Sequence, residues 1–310
     1  MKLIVVADDG GYSEIRDTGI LSALEDSSSG SNRGISEVAI LTNGVVSRDL
    51  NRTSRSNLFS YLKQYRMTPG LHINLTEGTP LSKRCSLLLN DCGIFRGKFG
   101  FRQLLQQDES EELFREIFAE IEAQITQFVV LFGCDPSFIN GHQHIHVLPM
   151  VVKAICSSSL NGKSIFVRIP HEDSVYLDTF SSTSNMEAIS FYQQVGKESE
   201  AAKADFVQNG FRVVDVFIGM ALMGQNLNVQ NLKRDFQALI NKGSISTIEL
   251  MVHPGYPLTE KDTEAGCGSG PDDFSKSSDR DYELNFLKSQ QFSDLMQTFG
   301  INLQRFSCIE

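Results

Sequence analysis

Short β-rich runs alternate with longer amphipathic stretches along this 310-residue chain. That alternation restricts the fold to a mainly parallel sheet with helices packed outside it. Residues 3–7, 37–41, 70–75, 137–140, 164–168, 211–218, 247–252 and 301–306 read as strands. Helices are expected over 13–24, 58–64, 111–132, 150–156, 187–208, 229–240 and 281–299. The clearest is 111–132, where Leu113, Ile117, Ile121, Ile125 and Phe128 recur at helical spacing behind a Ser110 cap and an acidic first turn. Evenly spaced strands favour a closed or nearly closed barrel over an open doubly wound sheet. We expect one α/β domain over residues 1–310, since 41% hydrophobic residues suffice for a large core and no interdomain linker stands out.

A barrel of this kind gathers its active-site groups at the carboxyl ends of the strands. Polar residues fall there repeatedly. The pair Asp8-Asp9 closes the first strand, His72 lies inside the third, His142 follows the fourth, Arg168 ends the fifth and His253 follows the seventh. Five of the six histidines sit in three motifs: GLHIN at 70–74, NGHQHIH at 140–146 and MVHPG at 251–255. Adjacent carboxylates on an extended strand face opposite ways. A turn at Gly10-Gly11 is expected to let both reach one site, one binding a divalent metal and the other taking a proton from metal-bound water. His142, His144 and His146 share one face if their segment is a strand, whereas a helical turn pairs His142 with His146. His72, between Leu71 and Ile73, is expected to face inward, and His253, on a backbone restricted by Pro254, suits proton donation to a leaving amine. Arg168 is expected to orient a carboxylate, bind substrate or form a peripheral salt bridge.

Other chemistries find little support. A net charge of −10 argues against a nucleic-acid partner. No apolar run approaches the roughly 20 residues of a membrane span, and the first strand meets Asp8-Asp9 too soon for a secretory leader, so a soluble cytoplasmic protein is expected. Six cysteines without a CxxC pair suit reduced thiols. No GxGxxG follows the first strand and no GxSxG nucleophile is present. Loops at 27–34, 76–100 and 257–280 stand out, the last two long enough to cover a substrate.

Taken together, the motifs ADD at 7–9, GLHINLTEG at 70–78, GHQHIHVLP at 141–149 and ELMVHPGY at 249–256 resemble those of the YdjC-like (ChbG-type) carbohydrate deacetylases. FIG at 217–219 and GCGSGPDDF at 266–274 resemble the animal branch in particular. The resemblance runs nearly the whole length. It implies a distorted (β/α) TIM-like barrel, a divalent metal, Mg2+ first and Zn2+ second, and deacetylation of N-acetylated sugars such as chitooligosaccharides. By motif position it makes Asp9, His72 and His142 the metal ligands, Asp8 the general base and His253 the general acid. Asn74, His144, His146 and Arg168 become substrate contacts or supports of the ligands. It also implies a homodimer. Gly10 stands where the family usually has Phe, a change expected at the floor of the sugar site, and Asn140 stands where an aspartate is common. Two other readings remain: another metal-dependent amidohydrolase or phosphoesterase, and a non-catalytic sugar-binding or regulatory protein.

Overall fold

The computed structural model describes residues 1–25, 34–172, 186–268 and 270–309. The loop expected at 27–34 therefore lies outside the described residues except for Gly34, as does Ser269 within the loop expected at 257–280. Among the described residues there are eight strands: β1 (Lys2–Gly10), β2 (Glu37–Ile40), β3 (Gly70–Ile73), β4 (Phe138–Gly141), β5 (Phe166–Val167), β6 (Val216–Ile218), β7 (Thr247–Val252) and β8 (Asn302–Leu303). They are ordered β5-β4-β3-β2-β1-β7-β6, with β8 alongside the start of β1, and every pairing is parallel. The sheet curls into a half-barrel with helices outside, an α/β barrel-like fold. An isolated parallel bridge between Phe166 and Arg212 ties the β5 edge to the segment leading into β6 at the opposite edge.

Side-chain parity explains what fills the curl. Leu3, Val5, Ala7, Val38, Ile40, Leu71, Ile73, Ile139 and Val167 pack with the helices in one large core. Their alternate neighbours Ile4, Val6, Ala39, Phe138 and Phe166 form a separate cluster with Val214 and Phe306 and no α-helix residue. This second cluster is the inside of the barrel, stoppered by Phe306, whose ring lies 4.6 Å from Phe138 and 4.9 Å from Phe166. Continued by two residues toward the strand ends, the inward parity places Asp8 above Val6, Asn140 above Phe138 and Arg168 above Phe166, with His72 on β3 beside Asn140. The barrel interior is thus apolar at the amino ends of the strands and polar at their carboxyl ends.

The helix Glu111–Phe132 begins at Ser110, whose hydroxyl accepts from Leu113 N–H, and ends at Gly133 in the left-handed region. Its buried face also carries carboxylates. Glu116 accepts from the backbone N–H of Ser86 and Leu87, and Glu120 from those of Leu81 and Ser82. The 76–100 stretch is consequently pinned to the body, and its last residues enter a helix, Gly97–Gln107, that its glycine-rich sequence had concealed. The helix expected over 281–299 divides into Asp279–Leu287 and Gln290–Thr298, because Ser289 leaves the helix to cap the second segment. All six cysteines are free thiols, and no helix among the described residues is long and apolar enough to cross a membrane.

Candidate active site

Asp8 and Asp9 reach one space by a route different from the turn expected at Gly10-Gly11. Strand β1 continues through Gly10, and the register against β2 shifts between Ala7 and Gly10. Asp9 itself adopts φ +66°, making a bulge that turns its side chain to the same side as Asp8. The glycine at position 10 is required by packing, since a Cβ there would lie 2.8 Å from both Val38 and Ile40. Position 10 faces the core, and Gly10 does not line the cavity described below.

From His142 onward the NGHQHIH segment is neither a strand nor a regular helical turn. Beyond Gly141 it becomes a 3-10 segment in which Gln143 and His144 take φ of 53° and 60°. This left-handed pair fans the three imidazoles apart. His142 turns to Asp9, His144 faces the cavity, and His146 turns into the barrel, where its Nε2–H donates to the Arg168 carbonyl at 2.9 Å.

Three donor atoms converge. Asp9 Oδ1 lies 3.3 Å from His72 Nε2 and 3.2 Å from His142 Nδ1, and the three ligand atoms all lie within 4.8 Å of one another. Donors around a tetrahedral zinc with bonds of roughly 2.0–2.1 Å sit about 3.3 Å apart, so the triad fits a divalent cation. Each donor also has an outer partner on its far side. His72 Nδ1–H donates to Asn140 Oδ1 at 2.6 Å, His142 Nε2–H donates to Glu77 Oε2 at 3.0 Å, and Arg16 Nη1 holds Asp9 Oδ2 at 3.1 Å. Burial works against charge on Asp9 and His142. It is overcome at Asp9, held well below the usual carboxylate range by His142, His72 and Arg16, and at His142, raised to about 10 by Asp9 and Glu77.

Asp8 stands beside the triad as an ionised carboxylate. Burial alone would raise its pKa, but Arg168 lowers it with a two-pronged contact, Nη1 to Oδ2 at 2.5 Å and Nη2 to Oδ1 at 2.9 Å. The Asn140 amide also donates to Asp8 Oδ1 at 2.9 Å. An amide accepts from His72 with one end and donates to Asp8 with the other, which an ionised aspartate at position 140 cannot do. His253 Nε2 is 4.0 Å from Asp8 Oδ2. Its backbone N–H donates to Glu283 and its ring meets Phe274 edge-on at 5.0 Å, while burial pushes the imidazole down to about 3. Asp8, Asp9, His72, His142, His144 and His253 line one cavity of about 440 Å3, whose outer wall carries Lys98, Phe99, Phe191, Tyr192 and Phe274.

The sequence profile of YdjC-like proteins matches residues 2–298. This chain belongs to the YdjC-like family. A Danio rerio relative named carbohydrate deacetylase is 36% identical, covering 99% of this chain and 97% of its own. A Homo sapiens protein of the same name is 31% identical over 98% of this chain and 89% of its own. A chitooligosaccharide deacetylase of Yersinia enterocolitica is 27% identical over 82% and 81%. The fold is also that of a crystal structure from Enterococcus faecalis, described as a proposed cellobiose-phosphate cleavage protein, with a TM-score of 0.65 at 16% identity over 99% of this chain and 97% of that one.

Within this YdjC-like site the remaining expected residues take supporting places. Arg168 is fully enclosed between Asp8 and Glu249, with Nε 2.5 Å from Glu249 Oε1, and is therefore neither a peripheral salt bridge nor part of the cavity wall. Asn74 is buried outside the cavity and shapes the turn that carries Glu77. His144 alone among the four supporting candidates lines the cavity, and its Nδ1 has no partner among the described residues. Sequence reasoning missed Glu77, Arg16 and Glu249. Glu77 and Glu249 both lay inside motifs already singled out, GLHINLTEG and ELMVHPGY, whereas nothing local marked Arg16.

Proposed function

We propose that this protein is a metal-dependent carbohydrate deacetylase that hydrolyses the acetamide of N-acetylated, chitooligosaccharide-like sugars to a free amine and acetate. The observation that carries the reading is the convergence of Asp9, His72 and His142 beside an ionised Asp8 on the wall of one cavity. The names of the animal and bacterial relatives supply the substrate class. Asp9, His72 and His142 would hold the cation, which when bound supplies Lewis acidity toward the amide carbonyl and acidifies water. Magnesium is the ion the resemblance implies, while two imidazoles and one carboxylate suit zinc better on softness.

Asp8 takes the proton of the attacking water, kept ionised for that task by Arg168 and oriented by Asn140. His253 is neutral at rest, so it gains a proton before it can donate one. Because 4.0 Å separates Asp8 Oδ2 from His253 Nε2, the water proton would pass through one bridging water to His253 before reaching the departing sugar amine. His144 contacts the substrate, and His146 and Asn74 hold the supporting geometry. Residues 1–310 act as one domain, and a cytoplasmic homodimer, implied by the family resemblance, completes the reading.

The test is acetate release from chitobiose and longer N-acetylglucosamine oligomers by protein stripped of metal and resupplied with magnesium, zinc, manganese or cobalt. Metal-dependent release that disappears in His142→Ala is expected. Stoichiometric metal binding without release would favour the non-catalytic sugar-binding reading.

A further inference from the structure

Glu77 is a partly buried carboxylate at this site to which the mechanism above gives no task. It comes from the turn after β3, and that turn is clamped. Asn74 Oδ1 accepts the N–H groups of Thr76 and Glu77, both at 3.0 Å. The Asn74 and Asn43 amides donate to the Glu77 carbonyl at 2.9 and 3.3 Å. The next residue, Gly78, has φ +75°, and a Cβ there would strike the Cys267 backbone. The backbone on both sides of Glu77 is therefore held, and a rigid turn delivers its carboxylate to His142 Nε2 at 3.0 Å with the side chain only 14% exposed.

An imidazole with one nitrogen committed to a carboxylate presents the other in a fixed direction and as a stronger electron donor. We propose that Glu77 is a positioning residue that, by accepting the His142 Nε2–H, turns Nδ1 toward Asp9 and strengthens it as a ligand for a divalent cation. This rests on the metal reading above. His72 has a neutral amide in the equivalent place, so the two imidazoles are unequal ligands and His142 is the stronger.

The probe is Co2+, titrated into the metal-stripped full chain, with affinity from chelator competition and ligand geometry from the visible d–d bands. Glu77→Ala is expected to weaken binding about 10–100-fold and to shift the bands. Glu77→Gln, isosteric and still able to accept the N–H, is expected to lie between wild type and the alanine variant, and it carries the test if the alanine variant does not fold. Wild-type affinity and spectrum in both variants would overturn the proposal while leaving the metal site intact. Equal weakening in both would overturn the orienting role and leave only the charge. A wild-type protein that binds no Co2+ would overturn the metal reading together with this inference.

Discussion

Arg168→Met is the perturbation whose cost follows most directly from the structure. Its guanidinium is fully enclosed and neutralises two carboxylates, Asp8 and Glu249, whose side chains are 2% and 1% exposed. A methionine fills similar volume, so packing is nearly conserved and the loss is electrostatic. Breaking a buried pair from one side leaves uncompensated charge and costs about 3–5 kcal/mol, a large part of the roughly 5–15 kcal/mol that holds a domain folded. Urea unfolding at pH 7.5, with unchanged slope and a lower midpoint, measures it. Adding Glu249→Gln to Arg168→Met removes one of the stranded charges and is expected to restore part of the loss. The pH dependence has a definite sign. Burial raises both carboxylates and Arg168 opposes it, so without Arg168 both groups take protons more readily and the deficit narrows as pH falls from 8 toward 5. A loss below about 1 kcal/mol, no recovery in the double variant, or a deficit that widens in acid would each refute the argument.

Three further outcomes are expected. Asp8→Asn should lower kcat about 10²–10⁴-fold while leaving Co2+ affinity close to wild type; an equal loss of metal binding would show that Asp8 is a ligand instead. His146, pushed down to about 3 by burial, binds its proton more weakly in the folded protein than in the unfolded chain. Its contribution is thus complete above about pH 6.5 and fades below it by up to about 1.4 kcal/mol per pH unit, and His146→Gln should flatten the acid limb of a stability-against-pH curve. Glu116→Ala removes the acceptor shared by Ser86, Leu87 and Leu88 N–H, so hydrogen exchange should quicken at 86–88 while the β1 amides stay protected; uniform acceleration would mean global destabilisation.

Periodicity made much of this protein legible. Parity along β1 predicts that Asp8 follows Ile4 and Val6 inward, and the same count brings His72, Asn140 and Arg168 to the polar end of the barrel. The helix Glu111–Phe132 matches its expected span at both ends because apolar spacing, cap and terminal glycine agree. Where local signals conflicted, the reading failed. Gly97–Gln107 begins among glycines, and the unbroken apolar pattern over 281–299 hid the break at Ser289.

By itself the sequence determined which residues face the barrel interior and which motifs meet at its carboxyl end, because side-chain alternation and helical spacing are properties of a few consecutive residues. Only the tertiary structure decided how the donors aim. Asp9, Gln143 and His144 occupy left-handed conformations that ordinary residues avoid and that surrounding contacts impose. Arg168 meets Asp8 and Glu249, 160 and 81 residues away, and Glu77 meets His142 across 65 residues. Pairings at that separation exist only once the sheet has curled, since nothing in either residue's neighbourhood names its partner.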